Sequence, residues 1–169
     1  MSPASDDAPV ELACFEVHGQ PYGIDVQHIR EIVRAQTVTP LPRAPGLIEG
    51  VIDLRGTIVP VIDAGRALGD HPSQEGPRAR IAILELDGLV FGLRVDAAAD
   101  VVAVAAGDVG EPPPLVSQAG YETVRAVVRR ADGLPTLVLS LEHLLESVYR
   151  SALGGREPPG PERAEPAEP

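Results

Sequence analysis

Cysteine occurs once in the 169 residues, tryptophan not at all, and aromatic residues make up only 3%. A single cysteine, Cys14, excludes an internal disulfide and a cysteine-rich metal site. It lies in the apolar run Leu12-Ala13-Cys14-Phe15 and reads as core. With 44% apolar residues and so few rings, the interior must be built from Ile, Val, Leu and Ala. No run of eighteen apolar residues occurs, so no membrane-spanning helix is expected. The start, Met1-Ser2-Pro3-Ala4-Ser5-Asp6-Asp7, lacks the basic stretch and apolar run of a signal peptide, and a cytoplasmic location is the expectation. Positive charge is short: 14 basic residues face 25 acidic ones, for a net charge of −11. Such a surface repels phosphate backbones and excludes nucleic acid as a partner.

Catalytic patterns are missing too. The four histidines, His18, His28, His71 and His143, show no His-x-His or His-x-x-x-His spacing, so no metal site is expected. There is no Gly-x-Ser-x-Gly elbow and no Gly-rich loop ending in Gly-Lys-Ser/Thr. Asp25, Asp53, Asp63 and Asp96 follow apolar runs and could supply a carboxylate pair, but their spacing suits capping and turn roles better. The expectation is a protein without cofactor that binds rather than catalyses.

What is present is dominated by one stretch, Gly46 to Asp63, in which two β-branched runs flank the turn dipeptide Arg55-Gly56. That is a hairpin signal. Its apolar alternation is imperfect, which points to strands buried on more than one face. Upstream, Val10–Val17 and Tyr22–Asp25 read as strands around the turn His18-Gly19-Gln20-Pro21. Val26, Ile29, Ile32 and Val33 fall at helical spacing and predict a short helix capped by Asp25. Thr37–Thr39 reads as extended, and Pro40, Pro42 and Pro45 force an open connection. Asp63 caps a helical turn over Ala64–Leu68, and Gly69–Pro77 is a polar loop.

Downstream, Arg80–Leu86 and Leu89–Val95 are strands around Asp87-Gly88. Ala97–Ala106 fits strand or helix, and Gly107–Gly120, with Pro112-Pro113-Pro114, cannot be regular throughout. Thr123–Ala131 and Pro135–Leu139 are strands around Asp132-Gly133. Ser140 caps a helix with Leu141, Leu144, Leu145 and Val148 on one face, and from Ala152 the tail has too little apolar content to order itself.

The chain repeats itself. Adding 69 carries Phe15 to Leu84, Gly19 to Gly88, Gly23 to Gly92 and Val33 to Val102. Adding 77 carries Arg55-Gly56 to Asp132-Gly133, Val61 to Val138 and Leu68 to Leu145. About five short strands per unit suit a small closed barrel, so the fold expected is mainly β, with two similar five-stranded barrels and short helices.

The segment Pro42, Pro45 and Gly50-Val51-Ile52-Asp53-Leu54-Arg55-Gly56-Thr57-Ile58-Val59-Pro60-Val61 resembles the central signature of CheW-type chemotaxis coupling proteins. Asp53 stands where that signature usually has Asn, Leu139-Ser140 where it has Leu-Asp, and Ala126 where glycine is common. The resemblance extends over roughly residues 10 to 146. It implies two SH3-like barrels, intertwined and spanning approximately 10–75 and 78–151; the segments 1–9 and 152–169, outside the resemblance, are expected to be disordered. It further implies a non-enzymatic adaptor that joins chemoreceptor cytoplasmic tips to the regulatory barrel domain of the histidine kinase CheA, in a signalling array. The alternatives are a scaffold for a non-flagellar system, controlling twitching motility or development, and a free-standing double-barrel peptide binder.

Residue by residue, the resemblance makes Glu31 and Arg55 an ion pair near the receptor-facing surface, with Leu54 and Gly56 framing Arg55. The competing reading pairs Glu31 with Arg30 or Arg34 along its own helix. Ile29, Val33 and the repeat mate Val102 are receptor-coupling candidates in a groove between the barrels.

Overall fold

A computed structural model describes residues 8–44, 46–69, 71–114, 123–131 and 133–155. Outside these lie most of the N-terminal segment 1–9, Pro45, Asp132 of the second-half turn, part of the Gly107–Gly120 connection, and residues 156–169 of the tail.

Three dipeptides shape the chain locally. His18-Gly19, Arg55-Gly56 and Asp87-Gly88 each place both residues at positive φ, with 52° at the first residue and 78°, 89° and 81° at the glycines. This is the two-residue turn whose twist matches that of the flanking strands. Each one closes a hairpin: β1 (Val10–Val17) with β2 (Gln20–Asp25), β4 (Ile48–Leu54) with β5 (Thr57–Asp63), and β6 (Arg80–Leu86) with β7 (Leu89–Val95). The remaining strands are β3 (Ile29–Arg34), β8 (Ala97–Val104), β9 (Val109–Gly110), β10 (Val124–Val128) and β11 (Thr136–Leu139). Helix α1 (Ala64–Leu68) is capped by the Asp63 carboxylate, which accepts the Gly65 N–H at 2.9 Å. Helix α2 (Leu141–Gly155) is capped by the Ser140 hydroxyl, which accepts the His143 N–H at 3.3 Å. It runs to Gly155, past the Ala152 at which the tail was expected to begin.

The expected helix over Val26–Val33 is corrected. Asp25 does cap a turn there, its carboxylate accepting the Gln27 N–H at 3.1 Å, but the turn is a single 3-10 turn, Val26–His28. The chain then extends as β3, with Ile29, Glu31 and Val33 half-buried and Arg30, Ile32 and Arg34 exposed. Three β-branched residues in six favour the pleated form, and the apparent helical spacing was coincidence. Ala97–Ala106 resolves as strand β8 leading into a second 3-10 turn, Ala106–Asp108.

The strands form two sheets, ordered β8-β1-β2-β11-β10-β9 and β3-β6-β7-β5-β4. The repeat seen in the sequence is therefore not the folding unit. β1 and β2 of the first repeat join β8, β10 and β11 of the second, while β6 and β7 of the second join β3, β4 and β5 of the first. The exchange is symmetric: β1 pairs with β8, and its repeat mate β6 pairs with β3.

Each sheet also curls back on itself. In the five-stranded sheet Thr39, five residues after β3 ends, exchanges two backbone hydrogen bonds with Val51 on β4, at 2.8 and 2.9 Å. Edge strand β3 is thereby tied by a short chain segment to the opposite edge, β4. In the six-stranded sheet β9 does the same: it follows edge strand β8 after one 3-10 turn and pairs with β10. The result is two barrel-like bodies, the first barrel (six strands) and the second barrel (five strands). Gly50 permits the closure of the second, because a Cβ there would lie 2.1 Å from the Thr39 carbonyl oxygen.

The core has three compartments. Leu12, Val104, Ala126, Val128 and Val138 fill the first barrel, and Ile52, Val59, Val61, Ile81 and Ile83 fill the second. The largest cluster lies between them: Phe15, Ile24, Leu84, Phe91 and Leu93 from the two sheets, with Leu141, Leu144 and Val148 of α2. Strands β1, β5 and β6 feed a barrel interior from one face and this shared core from the other. That double burial is why their apolar alternation is imperfect.

Candidate functional site

Glu31 lies on β3 and Arg55 at the tip of the β4–β5 hairpin. The Asp53 carboxylate accepts the Gly56 N–H at 2.8 Å and fixes that turn, with Arg55 held at φ 52° between Leu54 and Gly56. From there the guanidinium forms an ion pair, with a hydrogen bond, to the Glu31 carboxylate. Arg30, the intra-strand alternative, instead pairs with Glu85 on β6 at 3.5 Å. The Arg55 side chain is 68% exposed and that of Glu31 36%, so the pair is a surface feature at the barrel seam.

The other expected site residues are dispersed. Val33 packs, with Leu54, against the interior of the second barrel. Val102 packs against the interior of the first. Ile29 contacts the shared core. The two repeat-related valines therefore serve separate clusters. Their chain neighbours Ile32 and Val101, themselves repeat mates, are 40% and 62% exposed. Reading β3 as a helix hid this, since only a strand puts residues 32 and 33 on opposite faces.

A second apolar feature was not expected. Ile58 on β5 is 62% exposed and Leu89 on β7 is 42% exposed. Each lies three residues before the first paired residues of the two strands, Val61 and Gly92. Alternation places both on the face that carries Ile62, Phe91 and Leu93 into the shared core. The signal was present in the alternation of Ile58 with buried Val59 and Val61.

Where β4, β5 and β7 meet lies a more enclosed ion pair, Arg94 with Glu49 at 2.6 Å, at 12% and 28% side-chain exposure. Glu49 occupies the bulge between Ile48 and Gly50. Burial pushes its carboxyl above the usual range, and the opposing pull of Arg94 offsets this only in part. Beside it, buried Asp63 accepts the Ser73 N–H at 3.0 Å, so the loop between the repeats is fastened to the start of α1. His18 and His71 come together here, ring centroids 3.9 Å apart. Among the described residues no group of three metal-ligating side chains occurs, and no helix is long and apolar enough to cross a membrane.

Comparison with known proteins agrees with this architecture. The CheW-like domain family matches residues 11–149. The chain is similar to the chemotaxis protein CheW of Treponema pallidum, 32% identical over 148 residues, covering 85% of this chain and 86% of that protein. It is similar to Protein FrzA of Myxococcus xanthus, 31% identical over 144 residues, covering 85% and 89%. The crystal structure of scaffolding protein TtCheW from Thermoanaerobacter tengcongensis superposes with a TM-score of 0.73 at 30% identity, covering 82% of this chain and 93% of that one.

Proposed function

The chain belongs to the CheW-like domain family, and we propose that it works as an adaptor joining chemoreceptor cytoplasmic tips to the regulatory barrel domain of a CheA-type histidine kinase. The family is one of chemotaxis coupling scaffolds, and this chain carries its double-barrel form along nearly the whole of the matched relatives. The adaptor has no catalytic step: its work is to hold two partners at fixed separation, in the cytoplasm, without cofactor.

The observation that supports the reading most directly is the placement of two unlike surfaces on one rigid second barrel. The Ile58–Leu89 face is apolar and exposed, suited to a barrel-to-barrel contact with a kinase domain of like fold. The Glu31–Arg55 pair marks the seam, suited to a charged receptor tip. Arrangements of this kind allow both partners to bind at once. Ile29, Val33 and Val102 then act from within, by setting the strands that carry the receptor-facing surface.

The test is binding of the purified chain to the isolated kinase regulatory domain and to a receptor cytoplasmic fragment, singly and together, by calorimetry. A ternary complex is expected, with total buried surface for each contact in the usual range of about 1,200–2,000 Å². Normal binding by a kinase lacking its regulatory domain would overturn the kinase assignment. The similarity to Protein FrzA supports a second reading as well, an adaptor in a non-flagellar chemosensory system. Loss of gliding or twitching reversals on gene deletion, with swimming intact, would select it.

A further inference from the structure

We propose that the mouth of the first barrel is a binding site for a small zwitterionic molecule of amino-acid size. The argument starts from what the repeat does in the second barrel. There the mouth is closed: Ile83 and Val59, at 2% and 1% exposure, fill it beside Val33, and the Glu31–Arg55 ion pair spans the rim. At the matching places in the first barrel, the two aliphatic side chains and Glu31 are replaced, while Val33 is matched by another valine, Val102. Cys14 stands for Ile83 and Thr136 for Val59, putting a thiol and a hydroxyl on the floor at 6% and 1% exposure. Asp100 stands for Glu31, and Arg130 for the turn aspartate Asp53.

The replacements leave an open cavity of about 200 Å³ lined by all four residues, with Phe15 and Val102 as apolar wall. The rim thus carries one base, Arg130, and two acids, Asp100 and Glu16, of which Glu16 is already paired with Arg78 at 3.5 Å. Among the described residues, neither Asp100 nor Arg130 has an ion-pair partner within 4.0 Å. The Arg130 guanidinium donates to the Thr136 hydroxyl at a long 3.4 Å. A guanidinium has five N–H donors in a fork that fits a carboxylate, so donors remain for a ligand.

The charge pattern selects the ligand class. A bare anion meets Asp100 and a chain of net charge −11, which repel it. A zwitterion places its carboxylate on Arg130 and its ammonium on Asp100, and carries no net charge into that field. The cavity is smaller than the roughly 300–1,000 Å³ of sites for drug-sized ligands, which limits the occupant to something like alanine, valine or a similar compact molecule. This inference rests on the barrel geometry alone and is independent of the adaptor reading.

Titration of the full chain with L-alanine, propionate and propylamine, followed by amide nuclear magnetic resonance, tests it. Saturable shifts are expected for alanine at Ala99–Val102 and Gly133–Thr136, with Kd on the order of 1 mM, and binding at least about tenfold weaker for either single-charge analogue. Arg130→Gln and Asp100→Asn should each weaken alanine binding to the same degree, while the melting temperature stays that of the wild type. Asp100 is exposed, so its replacement does not endanger the fold. No saturable shift, or shifts that survive both substitutions, would overturn the site. Propionate binding as tight as alanine binding would overturn the zwitterion assignment.

Discussion

Glu31 and Arg55 belong to opposite edges of one five-stranded sheet, β3 and the β4–β5 hairpin, and they nevertheless form an ion pair. The sheet has to curl for this to happen, and the pair lies across the resulting seam. With both side chains substantially exposed, the pair contributes little to stability, about 0.2–1 kcal/mol. Its value is positional. Glu31→Arg or Arg55→Glu should leave the urea midpoint nearly unchanged and weaken receptor-dependent kinase activation. The double reversal should recover part of that activation, because the pair can re-form with opposite polarity. Activation by the double variant no better than the singles predict together would show that the two residues act independently.

Gly50 is a stronger structural requirement. Gly50→Ala forces a methyl group to within 2.1 Å of the Thr39 carbonyl oxygen unless the bridge to Val51 opens. The expected loss is about 2 kcal/mol or more, typical of backbone strain in a packed element, and is read as a lower urea midpoint. Gly46→Ala is the control: a Cβ there meets nothing within 4 Å, and it should change stability by less than about 1 kcal/mol.

The hairpins, both helix caps and the repeat were legible in the sequence because each depends on residues close together in the chain. His18-Gly19, Arg55-Gly56 and Asp87-Gly88 need only their own φ preferences, and Ser140 and Asp63 need only the next turn. The strand exchange was not legible in the residues themselves; that the barrels are intertwined came only through the resemblance. Leu12 and Ile81 occupy equivalent repeat positions, one inside each barrel, and nothing local says which β-strands will lie beside them. The site suffered from one wrong period. With Val26–Val33 taken as a helix, Ile32 and Val33 shared one apolar face, and Val33 and Val102 were receptor-coupling candidates only through the resemblance. As strands, β3 and β8 turn Ile32 and Val101 outward instead.

The Ile58–Leu89 face can be separated from the fold experimentally. Both side chains are substantially exposed, so Ile58→Asp and Leu89→Asp should cost little stability. If this face carries the kinase contact, each should weaken regulatory-domain binding about tenfold or more, as replacement of central interface residues does. Pro135 and Gln20 are the matching residues of the first barrel, where the Gln20 side-chain amide donates to the Pro135 carbonyl at 2.8 Å. Gln20→Ala should therefore leave kinase affinity unchanged. Equal effects at both sites would assign the contact to neither barrel in particular.

Glu49 and Arg94 give a prediction in which burial and pairing oppose each other. The two side chains meet at 2.6 Å, yet Glu49 Oε1 and Arg94 Nε are buried and have no hydrogen-bond partner among the described residues. Loss of water is the larger influence on Glu49, and its carboxyl sits above the usual range despite Arg94. The folded state consequently holds this proton at pH values where the unfolded chain has released it. Stability contributed by Glu49 is then present below the ordinary glutamate range and declines as pH rises through the raised one. Glu49→Gln removes that decline. The variant should match the wild type in acid, where Glu49 is protonated, and be at least as stable at pH 7. Arg94→Gln does the reverse: it leaves a partly buried carboxylate unpaired, costs about 1–3 kcal/mol at pH 7, and loses most of that cost in acid. Urea titrations of the three proteins at pH 4 and pH 7 decide the matter. A Glu49→Gln variant markedly less stable than the wild type at pH 7 but equal to it at pH 4 would mean that attraction to Arg94 outweighs desolvation. The bulge at Glu49 would then be held by charge, and not merely tolerate it.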